Sequence, residues 1–242
     1  MRRSAGRAMT EVISAISPTV IEVDQVISSQ RSPEDKRHGS IAPKTLIFRE
    51  NLQYVRYRRT FDVLAGLSVL ALSMPILLIA CMAILIEDGG PVFFCQRRVG
   101  RFGRLFVMYK LRTMRKSSCG DRYSPASRSD PRITRIGYWL RRFSIDEIPQ
   151  LINVVRGEMA FVGPRPEMPF VVRKYADWQH LRHLVTPGIT GLWQVTCRKS
   201  VPMHLPEATM LDLDYVRQIS YGTDVRLLAK TVGTLISTEG AY

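Results

Sequence analysis

Between Asp62 and Glu87 the chain runs for 24 residues, 63–86, without a charged side chain. An uncharged run longer than about 18 residues is a candidate membrane segment, and little else restricts a fold so strongly. As a straight helix it would measure about 36 Å at about 1.5 Å per residue, enough for a hydrocarbon core about 30 Å thick. No other uncharged run in the sequence is long enough to span a bilayer.

Pro75 stands in the middle of this run. An interior proline lacks the N–H that would bond the carbonyl of Ala71, and its ring crowds that carbonyl, so a kink is predicted there. Ser73 is placed to satisfy part of the freed backbone. Arg56, Arg58 and Arg59 precede the run, and Arg97, Arg98, Arg101 and Arg104 come after it. Positive charge on both flanks conflicts with one simple crossing. It favours a re-entrant helix broken at Pro75 that enters and leaves by the cytoplasmic face. An ordinary span with a tolerated proline kink is the alternative.

The chain carries 35 Lys+Arg against 21 Asp+Glu, a formal charge of +14, with 45% hydrophobic residues. That composition excludes a disordered chain and a multi-pass membrane protein, and it points to a polyanionic partner: nucleic acid, an anionic membrane or phosphorylated small molecules. The charge is focused, since residues 92–120 hold eight Lys+Arg and no acid. Cys81, Cys95, Cys119 and Cys197 show no C-x-x-C spacing, so neither a zinc site nor a disulfide framework is expected. His180 and His183 read as a solvated helix face, opposite an apolar arc of Phe170, Trp178, Leu181 and Val185.

The chain divides into three regions. Residues 1–50 are polar and aperiodic, with no apolar core of a secretory signal, and read as a flexible leader. Residues 51–90 form the membrane anchor. Residues 91–242 form a cytoplasmic, helix-rich domain on the membrane surface, so the expected class is mainly α with a small β-hairpin. The hairpin spans 91–112, its turn holding Gly100 and Gly103; in the second strand Lys110 and Arg112 share a face. Helices are predicted over 132–142, 145–156, 168–185, 205–219 and 224–237.

The densest group of chemically capable residues is Arg141-Arg142-Phe143-Ser144-Ile145-Asp146-Glu147-Ile148-Pro149-Gln150. Ser144 to Glu147 fits a capping box, in which the serine caps a helix and the glutamate reaches back. Pro149 disturbs that fit, so the helix either starts later or kinks. The functional alternative is phosphate chemistry: arginines pair with phosphate oxygens, one carboxylate holds Mg²⁺ and the other attacks phosphorus. The residues alone weigh cap and catalysis equally. Arg165, within Gly163-Pro164-Arg165-Pro166, and Arg198 are either further phosphate contacts or solvated charges.

These segments, together with Asp88-Gly89-Gly90-Pro91-Val92-Phe93-Phe94, Gln96-Arg97-Arg98-Val99-Gly100, Tyr109-Lys110-Leu111-Arg112-Thr113-Met114, Asp130-Pro131-Arg132-Ile133-Thr134 and Pro187-Gly188-Ile189-Thr190-Gly191-Leu192-Trp193-Gln194-Val195, closely resemble a known family. They resemble the bacterial sugar transferases that prime exopolysaccharide and O-antigen synthesis, the monotopic polyprenyl-phosphate phosphoglycosyl transferases. The resemblance runs from about Arg59 to the C-terminus.

The resemblance implies transfer of a sugar 1-phosphate, with galactose or glucose the usual hexose, from a UDP-sugar to undecaprenyl phosphate at the inner membrane, releasing UMP. It implies Asp146 as the nucleophile that forms a covalent phosphosugar, and Glu147 as the ligand of Mg²⁺. Lys110, Arg112, Arg141, Arg165 and Arg198 are carried over as phosphate or nucleotide contacts. Met74 before Pro75, Phe143 before Ser144 and Cys197 before Arg198 depart from the family's usual residues.

A membrane-tethered nucleic-acid binder is the rival reading. It rests on the basic 92–120 stretch with Phe102, Phe106 and Tyr109 interleaved, but leaves Asp146 and Glu147 without a role. Nucleic acid is therefore not an expected partner. A non-catalytic scaffold of a polysaccharide assembly complex has the retained dyad against it, and homo-oligomerisation is left open.

Overall fold

A computed structural model describes residues 52–116, 130–197, 203 and 205–236. The leader expected over 1–50 lies outside the described residues. The uncharged run belongs to one helix, α1 (Leu52–Asp88), which is helical through Pro75. The expected separation into two helical halves is therefore not seen as an interruption of helical conformation. Ser73 does not replace the bond that Pro75 removes: its hydroxyl donates to the Leu70 carbonyl at 3.0 Å, three residues back.

One stripe of α1, comprising Asp62, Gly66, Ser73, Ala80 and Ile84, is buried. On another stripe Leu72, Ile79 and Ile86 are 80%, 71% and 82% exposed, an arrangement that suits lipid and not water. Among the described residues α1 is the one helix long and apolar enough to cross a membrane.

Both ends of α1 are fastened to the downstream domain. Near its start, Arg58 donates to the Val162 carbonyl and pairs with Asp224 at 3.2 Å, and Arg59 donates to the carbonyls of Val154 and Val155. Near its end, the Glu87 carboxylate accepts from the backbone N–H of Arg135 (2.7 Å) and Ile136 (2.9 Å). Those amides open α2 (Arg135–Arg142), where Thr134 also caps through Gly137 N. Ala80 and Ile84 pack with Leu111 and Leu140.

The expected hairpin is present as β1 (Phe93–Val99) and β2 (Leu105–Leu111), antiparallel with Phe94 opposite Lys110. Alternation buries Phe106 and Met108 against Val154 and Met159. Lys110 is next on that same inward row, and this delivers it to the interior.

After α2 the chain makes a single 3₁₀ turn (Ile145–Glu147) and then α3 (Gln150–Arg156). The helix thus starts later than Ser144, one of the two outcomes allowed by Pro149. α3 ends at Gly157, with φ 85° and the Arg59 guanidinium 3.2 Å from where a Cβ would stand. The positive φ favours glycine there.

The next feature, a parallel pair β3 (Ala160–Val162) and β4 (Gly188–Thr190), was not predicted from the sequence. Strands of three residues carry too little periodicity to be recognised. Their backbones approach so closely that a Cβ on Gly188 would lie 2.1 Å from Gly163 N.

The crossover between β3 and β4 is not the single helix predicted over 168–185. It is a short α4 (Pro169–Val172), an extended break at Ala176 and a 3₁₀ segment, Asp177–Leu184. Three residues per turn bring positions i and i+3 to one side, so His180 and His183 share a face as expected but turn inward. His183 is 6% exposed and stacks on Tyr175, which corrects the solvated-face reading. The chain continues through α5 (Leu192–Thr196), α6 (Pro206–Arg217) and α7 (Tyr221–Ile236).

Candidate active site

Ser144 adopts left-handed backbone geometry, φ 54°, and its side chain makes no capping hydrogen bond. The capping-box reading fails there, and the released Glu147 carboxylate points elsewhere. Its Oε1 lies 2.7 Å from Lys110 Nζ and 2.7 Å from Arg165 Nη2, while Oε2 lies 3.4 Å from Arg165 Nη1. Asp146, on the same turn, is 7% exposed. Burial pushes its pKa up; Lys110, Arg141 and Arg165 pull the other way, and Glu147 adds to the rise.

Each partner arrives from a separate element. Lys110 comes from the inward row of β2, and burial lowers its pKa against the pull of Glu147. Arg165 comes from the loop after β3. Arg141 sits in the last turn of α2 and donates through Nε to Thr113 Oγ1 at 2.8 Å. Two adjacent carboxylates thus share one cluster with three cations. Arginines and a lysine can bind a phosphate ester, and a carboxylate beside them, as Asp146 is, can act as an oxygen nucleophile.

The family described as Bacterial sugar transferase matches residues 53–238. The chain belongs to the bacterial sugar transferase family. A UDP-galactose-lipid carrier transferase of Erwinia amylovora is 39% identical over 200 residues, covering 76% of this chain and 41% of that protein. An undecaprenyl-phosphate glucose phosphotransferase of Komagataeibacter xylinus is 38% identical over 195 residues, 76% of this chain and 37% of the relative. A UDP-glucose:undecaprenyl-phosphate glucose-1-phosphate transferase of Caulobacter vibrioides is 38% identical over 193 residues, 76% of this chain and 72% of the relative. The match thus spans about two-fifths of the first two proteins and most of the third.

In this bacterial sugar transferase the predicted residues do not all converge. Lys110, Arg141 and Arg165 gather at Asp146 and Glu147. Arg112, buried at the end of the hairpin, donates to the carbonyls of Asp88, Gly89 and Gly90 and pairs with the Asp88 carboxylate at 3.2 Å. It fastens the chain that leaves α1. Arg198 lies outside the described residues.

The dyad also bears on the expected Mg²⁺. Among the described residues no group of three or more His, Cys, Asp or Glu could hold a metal ion. Two adjacent carboxylates beside a phosphate-binding cluster suit Mg²⁺ nonetheless, since that ion is commonly held by one or two carboxylates, waters and substrate phosphates. The donor set fits an ion brought with a diphosphate. Glu147, the expected ligand, would exchange part of its pairing with Lys110 and Arg165 to reach it.

Sequence reasoning missed Arg98 and Arg182, which donate to the backbone carbonyls of Pro166 and Arg165. Strand alternation places Gln96 and Arg98 on the buried face of β1 and was the available signal. Arg182 gave none, because it lies in the 3₁₀ segment read as an α-helix.

Proposed function

We propose that this family member transfers a hexose 1-phosphate, of galactose or glucose, from a UDP-sugar to undecaprenyl phosphate and releases UMP. The observation that carries the reading is the doubly ion-paired Glu147 beside the nearly buried Asp146. A carboxylate oxygen of Asp146 attacks the sugar-bearing phosphorus. The bond from that phosphorus to the bridging oxygen breaks, and UMP leaves with its electron pair.

An oxygen of undecaprenyl phosphate then attacks the same phosphorus, and the Asp146 carboxylate departs unchanged. The donor keeps its sugar–oxygen bond throughout. Lys110, Arg141 and Arg165 offset the charge of the phosphates. Glu147, with phosphate oxygens of the donor, would hold Mg²⁺, which supplies charge neutralisation when bound.

The same reading puts α1 in the cytoplasmic membrane as a re-entrant anchor, bent within a continuous helix, with the rest of the domain on the cytoplasmic face. Its support is geometric: Arg58 and Arg59 at one end, and Glu87 and Asp88 at the other, hold residues of the same downstream body. A crossing would put those ends on opposite faces. Headgroup depth is where a polyprenyl phosphate presents its anion, while UDP-sugars arrive from the cytosol.

The test is UMP release by the protein in vesicles containing undecaprenyl phosphate, given Mg²⁺ and each of UDP-glucose, UDP-galactose and the N-acetyl sugars in turn. Release with one hexose donor is expected. No UMP with any of them overturns the proposal.

A further inference from the structure

The segment Pro164-Arg165-Pro166-Glu167 presents four consecutive backbone carbonyls, and each is held by a donor from elsewhere in the chain. Pro164 O accepts from Gly188 N at 3.0 Å and Glu167 O from Val99 N at 2.9 Å. Arg165 O accepts from Arg182 Nη2 at 2.8 Å and Pro166 O from Arg98 Nη1 at 3.1 Å. Two prolines fix φ on either side of Arg165.

Two of the four donors are guanidinium groups, with Arg182 2% and Arg98 7% exposed. Each has its own support. Arg182 also donates to the Asp212 carboxylate and the Tyr175 hydroxyl. Arg98 donates to Gln96 Oε1 at 2.6 Å and lies 4.0 Å from the Glu167 carboxylate. Burying two cations is a poor route to stability alone, because packed apolar side chains commonly serve as well. What this pair holds is the backbone on which Arg165 stands, and Arg165 reaches Glu147.

We propose that Arg98 and Arg182 are positioning residues: acting through the carbonyls of Pro166 and Arg165, they fix the direction in which the Arg165 guanidinium meets Glu147 and the diphosphate of the donor. The proposal rests on the phosphoglycosyl-transfer reading for its kinetic consequence and on the geometry of residues 164–167 for its structural one.

The experiment places Arg182→Lys, Asp212→Asn and Arg98→Lys in the full chain and again in an Arg165→Ala background. Lysine keeps the charge and loses the planar fork. Each single variant is expected to lose about 10- to 100-fold in kcat/KM for the UDP-sugar, the size of effect a small misplacement produces. The KM for undecaprenyl phosphate stays as in the unsubstituted protein. In the Arg165→Ala background the same substitutions cost nothing further. Losses that add in that background, or that fall on the lipid acceptor, overturn the proposal.

Hydrogen exchange over residues 160–170 reads the same support without turnover. Faster exchange is expected in each variant, and unchanged exchange overturns the proposal. Absence of UMP release from the unsubstituted protein would sink the transfer reading, and the exchange result would still decide the support of Arg165. If Arg182→Lys does not fold, Arg98→Lys carries both measurements from the other side of the segment.

Discussion

Arg165 holds Glu147 Oε1 at 2.7 Å through Nη2, the same oxygen that Lys110 Nζ approaches at 2.7 Å. One carboxylate oxygen thereby joins the inward row of β2 to the loop after β3. Asp146 next to it is left with its charge unfavourably buried and with cations around it. That asymmetry separates the two acids: on the proposed reading Glu147 would serve the cations and a donor-bound metal, and Asp146 would attack.

Asp146→Asn should therefore abolish UMP release, by about three orders of magnitude or more, as loss of a nucleophile does. Glu147→Gln should instead shift the Mg²⁺ dependence to higher concentration. Mass spectrometry of acid-quenched protein should find a phosphohexose on the peptide carrying Asp146 when undecaprenyl phosphate is withheld. Normal turnover by Asp146→Asn would refute the assignment.

The acid limb of the pH profile belongs to Asp146 on this reading, since the attacking carboxylate must be ionised. Its pKa lies above the ordinary carboxylate value through burial, and Lys110 opposes that rise. Lys110→Met should move the acid limb of kcat/KM to higher pH, and Glu147→Gln should move it lower. A limb that does not respond to either would assign it to another group.

Burial first, then the charges of Arg182 and His180, hold the His183 imidazole down at about 3. The unfolded chain binds that proton near pH 6.5, so stability from the neutral ring is complete above that pH and is lost as pH falls towards 3. Between pH 6.5 and pH 5 the loss should amount to about 1–2 kcal/mol. Thermal unfolding of His183→Phe, which keeps a ring against Tyr175, should be less sensitive to acid over that window.

Single cysteines at Thr60 and Arg104, introduced after removal of the four native cysteines, should both react with an impermeant maleimide from the cytoplasmic face of inverted vesicles. Reaction of the Thr60→Cys variant only from the opposite face would make α1 an ordinary span.

The largest physical signals were legible in the sequence: the uncharged run, the alternation of the hairpin, and the proline that delays the start of α3. Chemistry at Asp146 and Glu147 was legible only as one of two equal readings. Ser144 removes the cap by taking left-handed geometry, which the pattern S-x-x-E does not encode. Arg112 was expected to share a strand face with Lys110, but it lies one residue beyond β2, and its donors turn to the carbonyls of Asp88, Gly89 and Gly90 at the end of α1. The 3₁₀ winding over Asp177–Leu184 hid Arg182, because tertiary pairing with Asp212 and Tyr175 outweighs the local periodicity from which a helix is read.

The four pinned carbonyls of residues 164–167 tie the site to the order in which the chain is made. Arg98 and Val99 are synthesised before Asp146 and Glu147, whereas Arg182 and Gly188 come after them. A nascent chain released at about residue 180 would carry both acids and Arg165 yet lack half of the donors that hold the arginine. Contacts between such separated stretches form late, after the closure of long loops. The support of Arg165 is thus finished only when the domain is nearly complete, and on the proposed reading an unfinished polypeptide would lack a competent centre for a sugar nucleotide.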